Sequence, residues 1–450
     1  MKWRGFFAAL FFVLACMVGP ARAGAATTSQ LSDGLTIVTR SQALFPTVAF
    51  QIWIRCPADG YAGAQPGIAR LTALALLEQK SGDDTLRDAV RHAGGQVGVS
   101  VYHEGTEIAL LAPSYIALAL ADQLLRAVLH PNVDRVAYLA ARQRLAAQQV
   151  AALEVPDQIL RDSLFAQMFA SGPLHDPTYG TARTLAAFTP ADVNAFLRQA
   201  YVPADEIVVA VGNADGTDFE RRTRALAPPA RMPNAMPGSA VAPARAAPLI
   251  VEVAQAASPG VALGWVGPPI SDERAATAMD FLSDYLTHPD AGIIAQSVRQ
   301  LAPGAAFAGQ FITMRDPGVF FISVTGHNLD PDAAVATVRT SLAHALSSRL
   351  SQSDFAQGLQ AFQSRLLRDT QTSQQVADNY GWYFMQGAPA YSPSFSQDAA
   401  AGAYFDQLKT LTPQYVYDIA RRYLSAQPTV VVVPAPAVTP SPAPKTPLTS

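Results

Sequence analysis

The order of secondary-structure signals in this chain occurs twice, and a repeat of that length restricts the fold to two copies of one unit. In the first copy, residues 47–54 (TVAFQIWI) form a β-branched and aromatic strand. A helical stretch follows over about 66–80, and a short helix over 86–92 stops at Gly94-Gly95. Residues 96–102 and 106–111 alternate like the two strands of a hairpin. Helical segments then run to about residue 170. Thr189-Pro190-Ala191-Asp192 opens a further helix, with Thr as the cap, Pro in the first turn and Asp at the third position. Residues 206–211 (EIVVAV) close the copy as a strand.

The second copy replays this order. Residues 260–266 (GVALGWV) are the strand, 272–287 the helix with Ser271 as its expected cap, and 292–300 the short helix. Residues 305–314 and 318–325 form the hairpin pair, and helical segments continue to about 408. Thr412-Pro413 opens the penultimate helix, and 429–433 (TVVVV) is the last strand. A Pro- and Ala-rich stretch separates the copies, and prolines disfavour helix and favour an extended linker. The expected fold class is therefore α+β, with two similar domains of about 200 residues, each a mixed sheet covered by helices. The expected boundaries are 30–226, a linker over 227–248, 249–433, and a disordered tail over 434–450 rich in Pro, Ala, Ser and Thr.

Half of the residues are hydrophobic and only 15% are charged, which suits a chain with a sizeable core. The net charge of −3, with no dense Lys/Arg stripe, argues against a nucleic-acid partner. Lys2 and Arg4, an apolar run over 6–18, and Ala21-Arg22-Ala23 together read as a secretory signal peptide over 1–23, and the periplasm is the expected destination. The apolar run is short for a bilayer core about 30 Å thick. Val13-Leu14-Ala15-Cys16 offers an alternative, a lipoprotein anchored to a membrane through Cys16. Cys16 and Cys56 are the only cysteines, so removal of the signal leaves Cys56 without a disulfide partner, and a buried structural thiol is expected there.

Several short stretches carry a resemblance. Gly34-Leu35 precedes the first strand, Gly67-Ile68-Ala69 opens the first helix, and Gly94-Gly95 precedes the hairpin. His175 to Gly180 (HDPTYG) is followed by Thr181, and Tyr201-Val202-Pro203 leads into VVAVGN. In order and spacing these resemble the pitrilysin/insulinase family of zinc metallopeptidases, which includes processing-peptidase and respiratory-complex core subunits. The resemblance implies one half of a clam-shell peptidase. It also implies an inverted zinc motif, His-x-x-Glu-His, after the Gly-Ile-Ala turn, where two histidines at i and i+4 on one helix face grip zinc and the Glu acts as base. Here the corresponding stretch is Arg70-Leu71-Thr72-Ala73-Leu74. Arg70 stands for the first His, Ala73 for the base and Leu74 for the second His. The third ligand falls on Gln148, with Gln149 as the alternative. A permanent cation, two side chains without donor atoms and a neutral amide do not make a zinc site. Glu78, nearby on the same helix, is a single carboxylate. Arg70 is expected either on a solvated helix face or in a surface contact with a partner.

The family also places an Arg and, seven residues on, a Tyr over the zinc site of the facing half, where they hold the substrate carbonyl. Arg299 matches the Arg. Phe307, one residue further than expected, takes the place of the Tyr and lacks a hydroxyl donor. No catalytic residue is expected, and no metal or cofactor in this chain; zinc is expected on a partner. The sequence holds no Gly-x-Ser-x-Gly elbow, Gly-rich phosphate loop or metal-type Cys cluster. The expected role is a non-catalytic subunit that closes the chamber of an exported peptidase and touches peptide beside a homologous zinc-bearing chain. The alternative is a peptide-binding or scaffolding protein of the cell envelope with no peptidase partner.

Overall fold

The computed structural model describes residues 26–61, 65–243, 247–252, 256–368, 370–389 and 403–435. The expected signal peptide, Cys16 and nearly all of the expected tail lie outside them. The strand Thr47–Arg55 is the pivot of the first half. Its side chains alternate between two cores, Val48, Phe50, Ile52 and Ile54 on one face and Ala49 and Trp53 on the other. Both faces are apolar because both are covered, the pattern of a strand buried in the middle of a sheet.

The first sheet runs in the order Thr27–Gln30, Thr36–Ser41, Glu206–Gly212, Thr47–Arg55, Gly105–Pro113, Gln96–Tyr102. Only the pair Thr36–Ser41 and Glu206–Gly212 is parallel. The second sheet repeats this as Leu249–Ile250, Thr429–Val433, Gly260–Gly267, Gly318–Thr325, Ala306–Ile312, again with the single parallel pair at the same place. The internal repeat therefore holds down to strand direction.

Local signals set most helix ends. Thr189 and Asp192 form a reciprocal capping box with Pro190 in the first turn, and Thr412 caps the matching helix Pro413–Leu424. Three details depart from the sequence reading. Asp272, not Ser271, caps the helix Glu273–Thr287, because its carboxylate reaches the Ala275 N–H at 3.2 Å. Helix ends at Met168, and Phe169–Ser171 is a short strand. That strand pairs with Ala240–Val241 inside the linker, whose Asn234 N–H also bonds the Asp205 carboxylate at 2.9 Å. The linker is thus fastened to the first half.

Chain order assigns each helix to its own half; packing exchanges two of them. The helix Ser373–Met385, from the second half, covers the outer face of the first sheet with Val376, Ala377, Tyr380 and Phe384. The helix Pro156–Met168, from the first half, covers the outer face of the second sheet, where Leu160, Leu164 and Met168 meet Ala262, Phe321 and Val431. Small residues admit both. A Cβ on Gly381 would lie 1.9 Å from Trp53 Nε1, and a Cβ on Gly264 would lie 2.5 Å from Met168 Sδ. Polar bonds at the first junction add direction. Gln51 donates to Asp378, and Arg55 donates to the carbonyls of Met385 (2.9 Å) and Phe384 (3.1 Å) at the C-terminus of the exchanged helix, the end that favours a cation.

Candidate functional site

The Gly-Ile-Ala turn and the HDPTYG stretch, far apart in sequence, meet backbone to backbone. Gly67 begins the helix Ile68–Leu77 at φ +95°, a region that favours glycine, and a Cβ there would lie 3.0 Å from the Gly180 Cα. That contact brings Tyr179 beside the first turn of the helix. All ten residues of Ile68–Leu77 are buried, and the helix packs on Arg135–Ala152, which carries Gln148 and Gln149. The two helices expected to share a metal are therefore neighbours, as the resemblance implies.

The side chains they present do not fit zinc. Ala73 and Leu74 lie within the apolar core. Arg70 is 6% exposed, with its guanidinium stacked over the Tyr179 ring. This overturns both expectations for it, since it is neither solvated nor on the surface. The cause is the packing of Tyr179, which gives the cation an aromatic face inside the fold. Gln149 donates to the Tyr179 carbonyl at 2.8 Å, and the buried Gln148 Oε1 has no partner among the described residues. Glu78 is buried and its Oε1 accepts from Arg87 (2.8 Å) and Arg144 (3.0 Å), so it is committed to an ion-pair cluster. Among the described residues no group of three His, Cys, Asp or Glu side chains is arranged to hold a metal.

What surrounds Arg70 is a cavity of about 300 Å³ between the halves. Its walls come from the strand end and turn carrying Tyr102, His103 and Glu104, the exchanged helix carrying Asp162, and Trp382 and Gln386 of the second half. Burial pushes the Asp162 carboxyl up to about 6, opposed by a hydrogen bond from Gln158 and by the charges of Arg161 and Arg70. Burial likewise lowers the pKa of Arg70, opposed by Tyr179 and Asp162. His103 stacks on Phe165 at 4.7 Å between ring centres, and desolvation pushes it down to about 4, so it is neutral at pH 7. Tyr179 was legible as part of a motif. Glu104, Asp162 and Gln386 carried no local signal, since they lie on segments far apart in sequence and none belongs to a recognisable motif.

Arg299 and Phe307 lie elsewhere. Arg299 lies in the last turn of the helix Ile293–Leu301, exposed, and donates to the Pro289 carbonyl. Phe307 is partly buried against the second core, in the strand Ala306–Ile312. Neither lines the cavity around Arg70. Cys56 is fully buried, with its sulfur 3.7 Å from the Thr106 hydroxyl, and burial pushes the thiol up to about 12. It is the inert structural thiol expected.

Residues 187–362 match the family model described as peptidase M16 inactive domain. No curated protein matches the chain. Among solved structures, the fold is similar to that of a protease from Helicobacter pylori, with a TM-score of 0.80 and 16% identity over 92% of this chain and 100% of that one. It is similar to a peptidase M16 inactive domain from Pseudomonas fluorescens, with a TM-score of 0.76 and 17% identity over 91% of this chain and 98% of that one. A chain of Complex III2 from Candida albicans gives a TM-score of 0.73 at 13% identity, over 91% of this chain and 95% of that one. Residues 187–362 therefore match the family's inactive-domain model, on a fold that the chain shares along most of its length with these M16-like proteins, and the positions expected for the inverted zinc motif hold Arg70, Ala73 and Leu74.

Proposed function

We propose that this chain is the non-catalytic subunit of an exported zinc metallopeptidase. In this reading it closes the chamber of a two-chain enzyme whose zinc and general base sit on a homologous partner, and it contributes contacts to the peptide. The observation that carries the reading is Arg70: a buried arginine stands in the first ligand position, beside Ala73 and Leu74, on a fold otherwise kept along its length. The match to an inactive domain of the family supports the same reading. Both sheets end on hairpin strands, Gln96–Tyr102 and Ala306–Ile312, whose outer edges are unpaired among the described residues. An extended peptide adds to such an edge through backbone hydrogen bonds. Export rests on the signal-peptide pattern at the N-terminus, with a lipid anchor on Cys16 as the variant form.

The test is affinity capture of the tagged chain from its host envelope, followed by mass spectrometry. A stoichiometric partner carrying His-x-x-Glu-His is expected, and peptidase activity should need both chains. Arg299→Ala should then lower turnover by about tenfold or more while leaving assembly intact, as loss of a donor to the reacting carbonyl would. Unchanged turnover would reduce Arg299 to a helix-end cation. A second reading is favoured by the likeness to a chain of Complex III2: a peptide-binding or scaffolding protein of the envelope. Recovery of the chain alone, or with envelope proteins unrelated to peptidases, would select it.

A further inference from the structure

Three polar groups on residues that line the Arg70 cavity are buried and lack partners among the described residues. They are the Nε of Arg70, the Nε2 of Gln386 and the Oε2 of Glu104. Their residues are 6%, 4% and 7% exposed, and they come from three separate segments of the chain. A buried polar atom without a partner is destabilising, and three of them on residues that line one cavity point to a polar ligand there. Two of the atoms are donors and one is a carboxylate acceptor. Glu104 is half satisfied, since its other oxygen accepts from Arg315 at 3.0 Å. Arg70 has no carboxylate within ion-pair distance among the described residues, so its charge is balanced only by the Tyr179 face and by carboxylates further away.

We infer that this cavity binds an α-carboxylate with an N–H donor beside it, the chemistry of the C-terminal residue of a peptide or of a free amino acid. The carboxylate would bridge Arg70 and Gln386, and the amide or ammonium N–H would meet Glu104 Oε2. Lining charges favour this over a phosphate. Arg70 and Arg161 are offset by Asp162 and Glu104, and two carboxylates repel a dianion more than a single negative charge. A cavity of about 300 Å³ is at the small end for ligand sites, which suits one or two residues. That the ligand is a peptide terminus rests on the peptide-contact reading above; the carboxylate chemistry does not, and no zinc-bearing partner is needed.

Calorimetric titration of the full chain with three probes tests it: tetra-alanine with a free C-terminus, its C-terminal amide, and free L-alanine. Free-acid tetra-alanine should bind, and the amide should bind at least about tenfold more weakly, as expected when one charge-assisted hydrogen-bond set is lost. Arg70→Met should abolish binding. Glu104→Gln keeps shape and one donor-acceptor group, and should weaken binding several-fold even if Arg70→Met does not fold. Equal affinity for acid and amide, or no binding of either at millimolar concentration, overturns the assignment. Free alanine binding as tightly as the tetrapeptide would uphold the carboxylate pocket and count against the peptide reading.

Discussion

The guanidinium carbon of Arg70 lies 3.8 Å from the centre of the Tyr179 ring, so a fixed positive charge is held where the sequence resemblance leads one to expect the first zinc ligand. The ring is held by the Gly67–Gly180 backbone contact and by the bond from Gln149 to the Tyr179 carbonyl. A divalent cation beside a guanidinium in a buried site is repelled, and among the described residues no three His, Cys, Asp or Glu side chains are grouped to hold it. The purified chain should therefore hold far less than one zinc per chain by inductively coupled plasma mass spectrometry, and it should show no peptidase activity alone. One tightly bound zinc per chain would overturn the central conclusion about this site.

Gly381 and Trp53 fix the depth at which the exchanged helix Ser373–Met385 rests on the first sheet. Gly381→Ala drives a methyl group into the indole, and overpacking of this kind costs about 1–3 kcal/mol or more. Gly98→Ala, where a Cβ meets nothing within 4 Å, is the control and should change stability by about 0.5 kcal/mol or less. Urea unfolding of both variants decides the matter. Equal midpoints would mean that the helix shifts freely on the sheet.

The same junction carries a pH dependence. Burial, and then the nearby Asp378 carboxylate, push Glu107 up to about 7 from an ordinary 4.5. The folded state thus keeps a proton that the unfolded state has released between those values, so stability falls as pH rises from about 4.5 to 7. A shift of that size corresponds to roughly 3 kcal/mol. Glu107→Gln, neutral at every pH, should flatten that limb. An unchanged pH profile would show that Glu107 ionises in the folded protein as easily as in the unfolded chain.

His103 acts with the opposite sign. Its folded value of about 4 lies below the ordinary 6.5, so the unfolded state binds more protons as pH falls and stability is lost between 6.5 and 4. The ring is held by Phe165 and by a bond between Nδ1 and the Pro173 carbonyl at 3.0 Å. His103→Phe keeps the stacking and removes the titration, so the acid limb should become shallower. Thermal unfolding across that range, compared with the parent chain, separates this contribution from that of Glu107.

Much of this was legible in the sequence because it is local or periodic. Strand alternation, Thr-Pro helix starts and glycine turns repeat with the same spacing in both halves, and together they determined two copies of one α+β unit. Arg70, Leu74 and Gln148 at the expected ligand positions, with Ala73 at that of the base, also do not make a zinc site there, since that follows from side-chain chemistry alone. What the sequence left open depends on contacts between distant segments. Trp53 alternates correctly for a strand, but nothing near it says that its face is covered by a helix more than three hundred residues later. Arg70 reads as a helix-surface cation until Tyr179 is folded against it. The cavity that joins Arg70, Glu104 and Gln386 has no sequence signature, because burial and partnering are properties of the packed chain and each of these side chains, read alone, is ordinary.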